Sequence, residues 1–431
     1  MQKKIDVVTM GCSKNLVDSE RVIKMLENTG FSVAHNAEAF RGDIAVINTC
    51  GFIGDAKEES IEMILNAIAA KNDGSIKEIY VMGCLSQRYR EDLIAELPEV
   101  DGWYGKFDWV DLASDLTKKH PSTAIWDRRI TTPKHHAYIK IAEGCNRFCS
   151  FCAIPLITGR FKSRPIDEIL DEVTDLVERG VKEFNVIAQD LSSYGTDLYG
   201  RHALAELIDR MSMIPGVEWI RLHYAYPADF PWDVLDVMNK RPNVCKYLDV
   251  ALQHCNDKVL SNMRRHIDKQ GTVDFLKRVR EKVSGIHLRT TLMVGFPGEN
   301  IEAFEELKQF VREQRFERMG AFAYCEEDDT YGAKNFTDDI SDDIKEERLS
   351  EIMAIQEEIS LEHNTAKVGQ RMRVIVDSET PEHYIGRTEF DSPEVDPEVL
   401  IEKATPLSKG EFVEVEITGA MPFELLAKVV K

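Results

Sequence analysis

The feature that most constrains the fold is an alternation of apolar strands and helices over the first 100 residues. Strands are predicted at 5–12, 43–50 and 79–84, and helices at 16–28, 56–70 and 87–97. Such alternation is typical of βαβ units, whose strands form a parallel sheet. We therefore predict an α/β domain over residues 1–130.

Each of these predicted strands ends in a cysteine, namely Cys12, Cys50 and Cys84. Ligands of open parallel sheets bind outside the carboxyl ends of the strands, so folding would bring the three thiols to one edge. The alternative is three buried core cysteines, because a free cysteine packs like a small hydrophobe. We favour a metal-cluster site, since all three thiols fall at the same point of the repeat.

A second cysteine set is local, and comprises Cys145, Cys149 and Cys152. Closely spaced thiolates are the usual ligands of iron–sulfur clusters. A cubane cluster with three cysteine ligands keeps one iron open to a small molecule. The alternative is a zinc knuckle with a distant fourth ligand, because a structural zinc site is closed by four ligands.

The central region continues the alternation. Further strands are predicted at 138–142, 184–188, 219–224, 247–252, 287–294 and 319–324, with helices at 166–178, 203–211, 275–283 and 302–312. Six such units predict a partial TIM-like barrel over residues 131–363, with its chemistry at the carboxyl ends of the strands. The charged helix predicted at 344–363 is interpreted as a connector.

The last segment, residues 364–431, has a different pattern. Short alternating runs at 371–376, 384–390, 399–402, 412–418 and 425–430 predict a small all-β barrel or sandwich. This segment carries 8 Lys and Arg against 13 Asp and Glu, a net charge of −5. The acidic stretch 391–398 is either a solvated loop or a recognition surface.

The whole chain is acidic, with a net charge of −21. It lacks the global basic footprint of nucleic-acid binding and suits a basic partner, such as a ribosomal protein. Nine cysteines without a dense framework argue against a secreted disulfide scaffold. No apolar run approaches the roughly 20 residues of a membrane span, and Asp6 precedes any hydrophobic region, so no signal peptide is expected. We expect a cytoplasmic protein.

Together these features resemble the methylthiotransferase family of radical S-adenosylmethionine (SAM) enzymes over essentially the whole chain. The residues that match the two cluster-binding sets of the family are Cys12, Cys50 and Cys84, then Cys145, Cys149 and Cys152. The resemblance implies an α/β multidomain fold with a flavodoxin-like N-terminal domain, a partial TIM-like (β/α)6 radical SAM barrel and a small all-β TRAM domain. It also implies two 4Fe-4S clusters and SAM as cofactors.

Within that family, segments 11–20, 49–53 and 56–60 look like the RimO branch, as do Gly159, Ser163, Arg164, Pro165, Gln189 and Asp190. That branch methylthiolates the β-carbon of an aspartate in ribosomal protein S-twelve. The alternative is a MiaB-like tRNA adenosine methylthiotransferase, although that branch typically has Gln-Met-Asn at positions 13–15. One departure is Thr158, which stands where an arginine usually precedes the glycine. The acidic TRAM segment fits a basic protein substrate better than a polyanion.

The resemblance implies that the second cysteine set holds the cluster that cleaves SAM reductively, while the first holds the sulfur. The cofactors carry the difficult chemistry, and no catalytic residue is assigned beyond the cluster ligands. Implied partners are protein S-twelve or the small ribosomal subunit, an electron donor such as flavodoxin or ferredoxin, and a sulfur source. A non-catalytic iron–sulfur carrier or ribosome-associated factor is the alternative class.

Candidate SAM contacts lie near the predicted barrel rim. Those named from the resemblance and from strand ends are Phe151, Gln189, Asp190, Gly295 and Gly298. Simpler interpretations are packing for the aromatic ring and a helix cap for the polar pair, whereas the glycines permit close backbone approach to a ligand. A second polar pair, Gln253 and His254, is interpreted as structural, and Cys245, Cys255 and Cys325 as packing or surface thiols.

Overall fold

The computed structural model describes residues 3–118 and 126–430. The chain divides into two compact units. The first comprises Met1–Thr132, Tyr138–Lys162 and Glu327–Thr330, and the second Pro133–Ala137, Ser163–Glu326 and Tyr331–Lys431. The three-domain division at 130 and 363 stays a prediction.

The first unit contains a parallel sheet of five strands. Its elements are β1 (Lys4–Thr9), α1 (Ser13–Asn28), β2 (Ser32–His35), β3 (Ile44–Thr49), α2 (Gly54–Asn72), β4 (Glu78–Gly83), α3 (Cys84–Glu96), β5 (Gly102–Trp103) and α4 (Trp109–Thr117). The strand order is β2-β1-β3-β4-β5. This is the flavodoxin-like order, so the predicted fold of this domain is confirmed.

Two apolar layers cover this sheet because its strands carry Val and Ile on both faces. One layer contains Ile47, Ile64 and Val81, and the other contains Val7, Val22 and Val46. The prediction of a strand over 5–12 was wrong at its end. Strand β1 stops at Thr9, since Gly11 has φ +81° and turns the chain. Cys12 is therefore the N-cap of α1 rather than a strand residue.

A short region carries the second cysteine set. It comprises β6 (His136–Lys140), β7 (Ala142–Glu143), α5 (Ile154–Thr158) and β8 (Lys162–Ser163). Strands β7 and β8 pair with each other. The cysteine loop connects β7 to α5.

The second unit contains most of the barrel sheet. Its elements are α6 (Ile166–Glu178), β9 (Glu183–Ile187), α7 (Leu204–Ser212), β10 (Trp219–Ala225), α8 (Val234–Lys240), β11 (Val244–Gln253), α9 (Asp257–Asn262), α10 (Lys269–Lys282), β12 (His287–Val294), α11 (Ile301–Gln314), β13 (Arg318–Ala323), α12 (Tyr331–Asn335) and α13 (Asp342–Thr365). The six-stranded sheet has the order β13-β12-β11-β10-β9-β6. Neighbouring strands from β9 to β13 pair in parallel, as predicted for a partial TIM-like barrel.

Helix α13 does more than connect two parts of the chain. Ile352, Ile355 and Ile359 are buried, and the helix packs against β13 and α11. Its three isoleucines recur at helical spacing, which gives one apolar face along an otherwise charged helix.

The chain ends in a closed barrel of five short strands. They are β14 (Arg371–Glu379), β15 (His383–Thr388), β16 (Glu398–Glu402), β17 (Phe412–Ala420) and β18 (Glu424–Val429), in the order β14-β15-β16-β18-β17. Val374, Val399 and Val415 are among the residues of its core. The small all-β fold predicted for this segment is confirmed. In the described parts of the chain, no helix is long and apolar enough to cross a membrane.

Candidate functional site

The first cysteine set lies at one edge of the N-terminal sheet. Strands β1, β3 and β4 are neighbours, and a cysteine follows each of them. Cys12 caps α1, Cys50 comes directly after β3, and Cys84 opens α3. Cys50 and Cys84 are buried, whereas Cys12 is exposed. The site is therefore closed on the protein side and open at Cys12.

Three glycines bring the cysteine-bearing loops together. A Cβ on Gly11 would lie 2.6 Å from the Cβ of Cys50. A Cβ on Gly51 would lie 2.6 Å from a backbone nitrogen in the first turn of α3, and one on Gly83 would lie 2.5 Å from a backbone carbonyl at the end of β3. Backbone atoms cannot move aside cheaply. The three loops can therefore pack this closely only because each cysteine has a glycine beside it.

Asn15 fixes the positions of these loops. Its Nδ2 donates to the carbonyls of Thr49, at 2.9 Å, and Met10, at 3.2 Å. Its Oδ1 accepts from the Sγ of Cys84 at 3.6 Å. One buried amide thus links the segments after β1, β3 and β4. The sequence marked position 15 only as a branch feature, and gave no signal for this role.

Burial sets the protonation of the inner thiols. Burial raises the pKa of Cys84 to about 12, and it also raises the pKa of Cys50. The nearby cysteines raise both values further, while the ammonium of Lys106 lowers them. Both thiols are therefore neutral at pH 7 in the folded chain, so binding of a metal cluster would release protons.

A buried ion-pair network lies close to the same thiols. Asp18 Oδ2 accepts from Lys106 Nζ at 2.8 Å, and Asp18 Oδ1 pairs with Lys140. Lys140 also pairs with Glu143. All but Glu143 are fully buried. Burial alone would raise the pKa of Asp18, but the two lysines hold it below its usual value.

The second cysteine set occupies a loop held by backbone hydrogen bonds. The Cys145 amide donates to the Gly159 carbonyl at 3.3 Å, and the Cys152 amide donates to the Cys149 carbonyl at 3.1 Å. The Arg147 amide donates to the Sγ of Cys145 at 3.5 Å. All three thiols are half-buried. Amide donors to sulfur are a feature of protein environments that tune iron–sulfur clusters.

Arg160 has a local partner in this loop. Its guanidinium lies 4.6 Å from the centre of the Phe148 ring. A Cβ on Gly144, which has φ +72°, would lie 2.2 Å from the Arg160 carbonyl. Arg160 therefore packs on the cysteine loop. It lies two residues after Thr158, the position where the family usually has an arginine.

The two cysteine sets belong to the same unit. Cys84 packs with Ala153 and Ile157 in one buried apolar cluster, and Ala153 directly follows Cys152. A member of the first set therefore touches the chain next to a member of the second. The sequence separation of the two sets gave no indication of this contact.

The donor chemistry fits two iron–sulfur clusters. Over residues 3–118 and 126–430, no three His, Cys, Asp or Glu side chains converge closely enough to hold a single metal ion. In a cubane each thiolate binds a different iron, so the three sulfurs need not converge on one point. Each set supplies three thiols, and the glycine-lined edge of the first has no room for a larger residue beside the cysteines. The assignment of the six ligands stays a proposal.

The first three candidate SAM contacts differ in their burial and in their hydrogen bonds. Phe151 is half-buried in the cysteine loop. Asp190 is buried and caps a short 3-10 turn, accepting from the Ser192 amide at 2.9 Å and the Ser193 hydroxyl at 2.6 Å. Its neighbour Gln189 is half-buried. The capping role that the sequence left open for the polar pair is therefore present at Asp190.

The two glycines after β12 both have positive φ, at +74° for Gly295 and +91° for Gly298. A Cβ on Gly295 would lie 2.4 Å from the Cγ of Lys345. A Cβ on Gly298 would lie 3.0 Å from Asn262 Nδ2. At both positions an added Cβ would therefore meet a side chain of this protein, so the turn needs glycine for its own packing.

His254 belongs to a buried network at the end of β11. Its Nε2 lies 3.2 Å from Glu299 Oε2, and Arg348 Nη1 lies 2.7 Å from Glu299 Oε1. The Gly295 amide donates to Glu299 Oε2 at 3.1 Å. These contacts agree with the structural role predicted for His254. Glu299 and Arg348 were missed, because no local pattern pairs residues so far apart.

The remaining cysteines lie outside both sets. Cys245 and Cys255 are buried, whereas Cys325 is exposed. Burial raises the pKa of Cys245 to about 12, so that thiol is protonated at neutral pH. These positions agree with the predicted packing and surface roles.

Three family profiles match this chain. The Radical SAM superfamily matches residues 139–311, the Uncharacterized protein family UPF0004 matches 4–105, and the TRAM domain matches 368–430. Among solved structures, the radical SAM methyltransferase TsrM from Kitasatospora setae aligns with a TM-score of 0.55 at 15% identity, over 75% of each chain. The radical SAM enzyme OxsB aligns with a TM-score of 0.53 at 13% identity, over 82% of this chain and 56% of OxsB. At these identities the two structures support the fold alone.

Curated relatives align over the whole chain. Ribosomal protein uS12 methylthiotransferase RimO of Bacteroides thetaiotaomicron is 58% identical, over 99% of this chain and 98% of the relative. The protein of the same name from Parabacteroides distasonis is 56% identical over 99% of both chains. That of Flavobacterium johnsoniae is 48% identical, over 98% of this chain and 97% of the relative. The chain therefore belongs to the radical SAM superfamily and, within it, to the RimO family of ribosomal protein uS12 methylthiotransferases.

Proposed function

We propose that this protein adds a methylthio group to the β-carbon of an aspartate in ribosomal protein uS12, the protein called S-twelve above. The observation that carries the proposal is the pair of cysteine sets in one unit, in contact through Cys84 and Ala153. It occurs in a chain that is more than half identical, over its full length, to relatives named for uS12. Those names favour uS12 over the tRNA alternative.

We assign one 4Fe-4S cluster to each set, with ligands Cys12, Cys50 and Cys84 in the first and Cys145, Cys149 and Cys152 in the second. When bound, the cluster of the second set would supply the electron that cleaves SAM, and the cluster of the first set would hold the sulfur. The chain's own residues hold the thiols in place. Asn15 and the three glycines fix the first set, while backbone amides orient the second.

We propose as SAM contacts the five residues that the sequence suggested. Phe151 offers an aromatic face beside Cys152. The other four candidates, which belong to the second unit, are Gln189, Asp190, Gly295 and Gly298. Asp190 already accepts two hydrogen bonds from its own turn, so we expect it to position Gln189 rather than to bind SAM strongly.

The reaction needs partners beyond the substrate. Reductive cleavage needs an electron donor such as flavodoxin or ferredoxin, and each turnover consumes one sulfur atom from a source. An enzyme that modifies a ribosomal protein works where ribosomes or their proteins are found, so we place it in the cytoplasm.

Matched cysteine variants test the two assignments. In the reconstituted full chain, we expect Cys149→Ala to abolish formation of deoxyadenosine from SAM while the cluster of the first set remains. We expect Cys84→Ala to keep SAM cleavage but to lose methylthio transfer to uS12. Cys325→Ala, at an exposed cysteine outside both sets, is the control and should retain both activities.

The readouts are deoxyadenosine by chromatography, iron content, and the mass of uS12. Deoxyadenosine production by Cys149→Ala would remove Cys149 from the SAM-cleaving cluster. Methylthio transfer by Cys84→Ala at the wild-type rate would remove Cys84 from the sulfur-carrying site.

A further inference from the structure

Helix α2 exposes an unusual combination of side chains on one side. Glu58, Ile61, Glu62 and Leu65 lie at spacings of three and four residues, so they are neighbours on the helix surface. Ile61 is 36% exposed and Leu65 is 48% exposed. We call these four residues the acidic–apolar face of α2.

The side of α2 that faces the sheet is buried. Ile64, Ala67 and Ile68 pack in the core against the sheet. Lys57 pairs with Glu327 at 3.1 Å, inside the same unit. Within the described residues, no ion pair reaches Glu58 or Glu62. The acidic–apolar face therefore carries two carboxylates, without a neutralising cation, beside two exposed apolar side chains.

Helix stability does not account for this composition. Glu58 and Glu62 are four residues apart, and like charges at that spacing destabilise a helix. The helix dipole favours acidic residues only in the first turn, where Asp55 lies. The parts of Ile61 and Leu65 that stay exposed, 36% and 48% of each residue, gain nothing from burial within this chain. The composition suits binding rather than folding.

The face leads directly to the first cysteine set. Helix α2 begins four residues after Cys50, and two of the three residues between them, Phe52 and Ile53, are 36% and 40% exposed. With a rise of about 1.5 Å per residue, Leu65 lies roughly 16 Å along the helix from its first residue. An extended peptide of about five residues covers that length.

We propose that the acidic–apolar face of α2 docks a basic segment of uS12 that carries apolar side chains, and so delivers the target aspartate to the cysteine sets. This inference rests on the proposed function. A ribosomal protein binds RNA, and neutralising the RNA phosphates requires Lys and Arg. Its surface is therefore complementary to the face in charge, whereas a second copy of this acidic chain, or RNA itself, is repelled.

Two surface variants and one control test the docking. Glu58→Lys/Glu62→Lys reverses the charge, and Ile61→Ser/Leu65→Ser removes the apolar part. Glu357→Lys/Glu358→Lys makes the same change of net charge on exposed residues of α13. The reconstituted full-length enzyme is assayed with purified uS12 over a range of substrate and salt concentrations. SAM cleavage without uS12 reports the intact clusters.

We expect each α2 variant to raise KM for uS12 at least tenfold, with kcat within twofold of wild type. The salt dependence of KM should largely disappear in Glu58→Lys/Glu62→Lys, and the α13 control should shift KM less than twofold. Unchanged KM in both α2 variants, while wild type modifies uS12, would overturn the docking inference alone. A wild-type dimer that the α2 variants convert to a monomer would also overturn it, as the face would then be a contact between copies. Failure of wild type to modify uS12 would instead overturn the proposed function.

Discussion

Replacing Asp18 by Asn isolates the contribution of the ion-pair network near the first cysteine set. Asp18 and Lys106 are 4% and 2% exposed, and they are joined at 2.8 Å. The substitution leaves the ammonium of Lys106 buried without this carboxylate, while Lys140 keeps Glu143. Breaking a buried ion pair costs about 3–5 kcal/mol. We expect the lower end, about 3 kcal/mol, because one of the two lysines keeps a partner.

Hydrogen exchange measures this loss locally. The free energy of opening of the β3 and β1 amides should fall by about 3 kcal/mol, so their exchange accelerates roughly 100-fold. Amides of β11 in the second unit provide an internal reference. The matched control is Asp175→Asn, which breaks an exposed pair with Arg179 at a similar distance of 3.0 Å. An exposed pair contributes about 0–1 kcal/mol, so exchange should change little.

The pH dependence gives a second check on the same residue. The pKa of Asp18 in the folded chain lies below its usual 3.8, so the unfolded state binds the proton more readily. The stabilisation is therefore complete above about pH 4–5 and is lost as the pH falls through the folded-state pKa. Wild type and Asp18→Asn should converge in acid. Equal exchange in Asp18→Asn and Asp175→Asn at pH 7 would refute the reasoning.

Two further substitutions give clear expectations. Gly51→Ala places a Cβ 2.6 Å from the amide nitrogen of Leu85, so the first cluster should be lost and the bound iron should fall by half. The control is Gly320→Ala, where the nearest atom is 4.0 Å from the added Cβ, and it should retain the full iron content. Burial and Arg318 lower the pKa of Lys367 from its usual 10.5 to about 8 in the folded chain. The charge of Lys367 therefore destabilises the folded state fully below pH 8. This destabilisation decreases as the pH rises from 8 and is gone above 10.5, where the unfolded chain also loses the proton. Lys367→Met should therefore raise the melting temperature at pH 7, by an amount that shrinks between pH 8 and 10.5, and a constant gain would contradict this assignment.

The barrel and the sheet were predictable because their strands are continuous apolar runs. Helix α6 occupies the predicted residues, since its apolar residues recur at helical spacing directly after Pro165. Strand β1 ended earlier than predicted, because the turn at Gly11 depends on backbone conformation rather than on hydrophobicity. Strands β2 and β5 were missed, being only four and two residues long.

The sequence positions of the six cysteines identified them as candidate ligands. The side chains that hold their surroundings in place could not be identified in this way. Asp18 and Lys106 are 88 residues apart, and Glu299 and Arg348 are 49 apart. Such pairs form only after the sheet or the barrel has brought distant segments together. The contact of Cys84 with Ala153 depends likewise on tertiary packing. Local patterns therefore named the candidate cofactor ligands, while the contacts that support those residues required the structure.

Reconstitution with a choice of substrates tests the central claim most directly. The anaerobically reconstituted protein is given SAM, reductant and sulfide, with uS12 and unmodified tRNA offered together, and both products are analysed by mass spectrometry. We expect a methylthio gain on one aspartate of uS12 and no change in the tRNA. A methylthio gain on a tRNA adenosine, with uS12 unchanged, would contradict the assigned substrate while leaving the fold and both clusters in place.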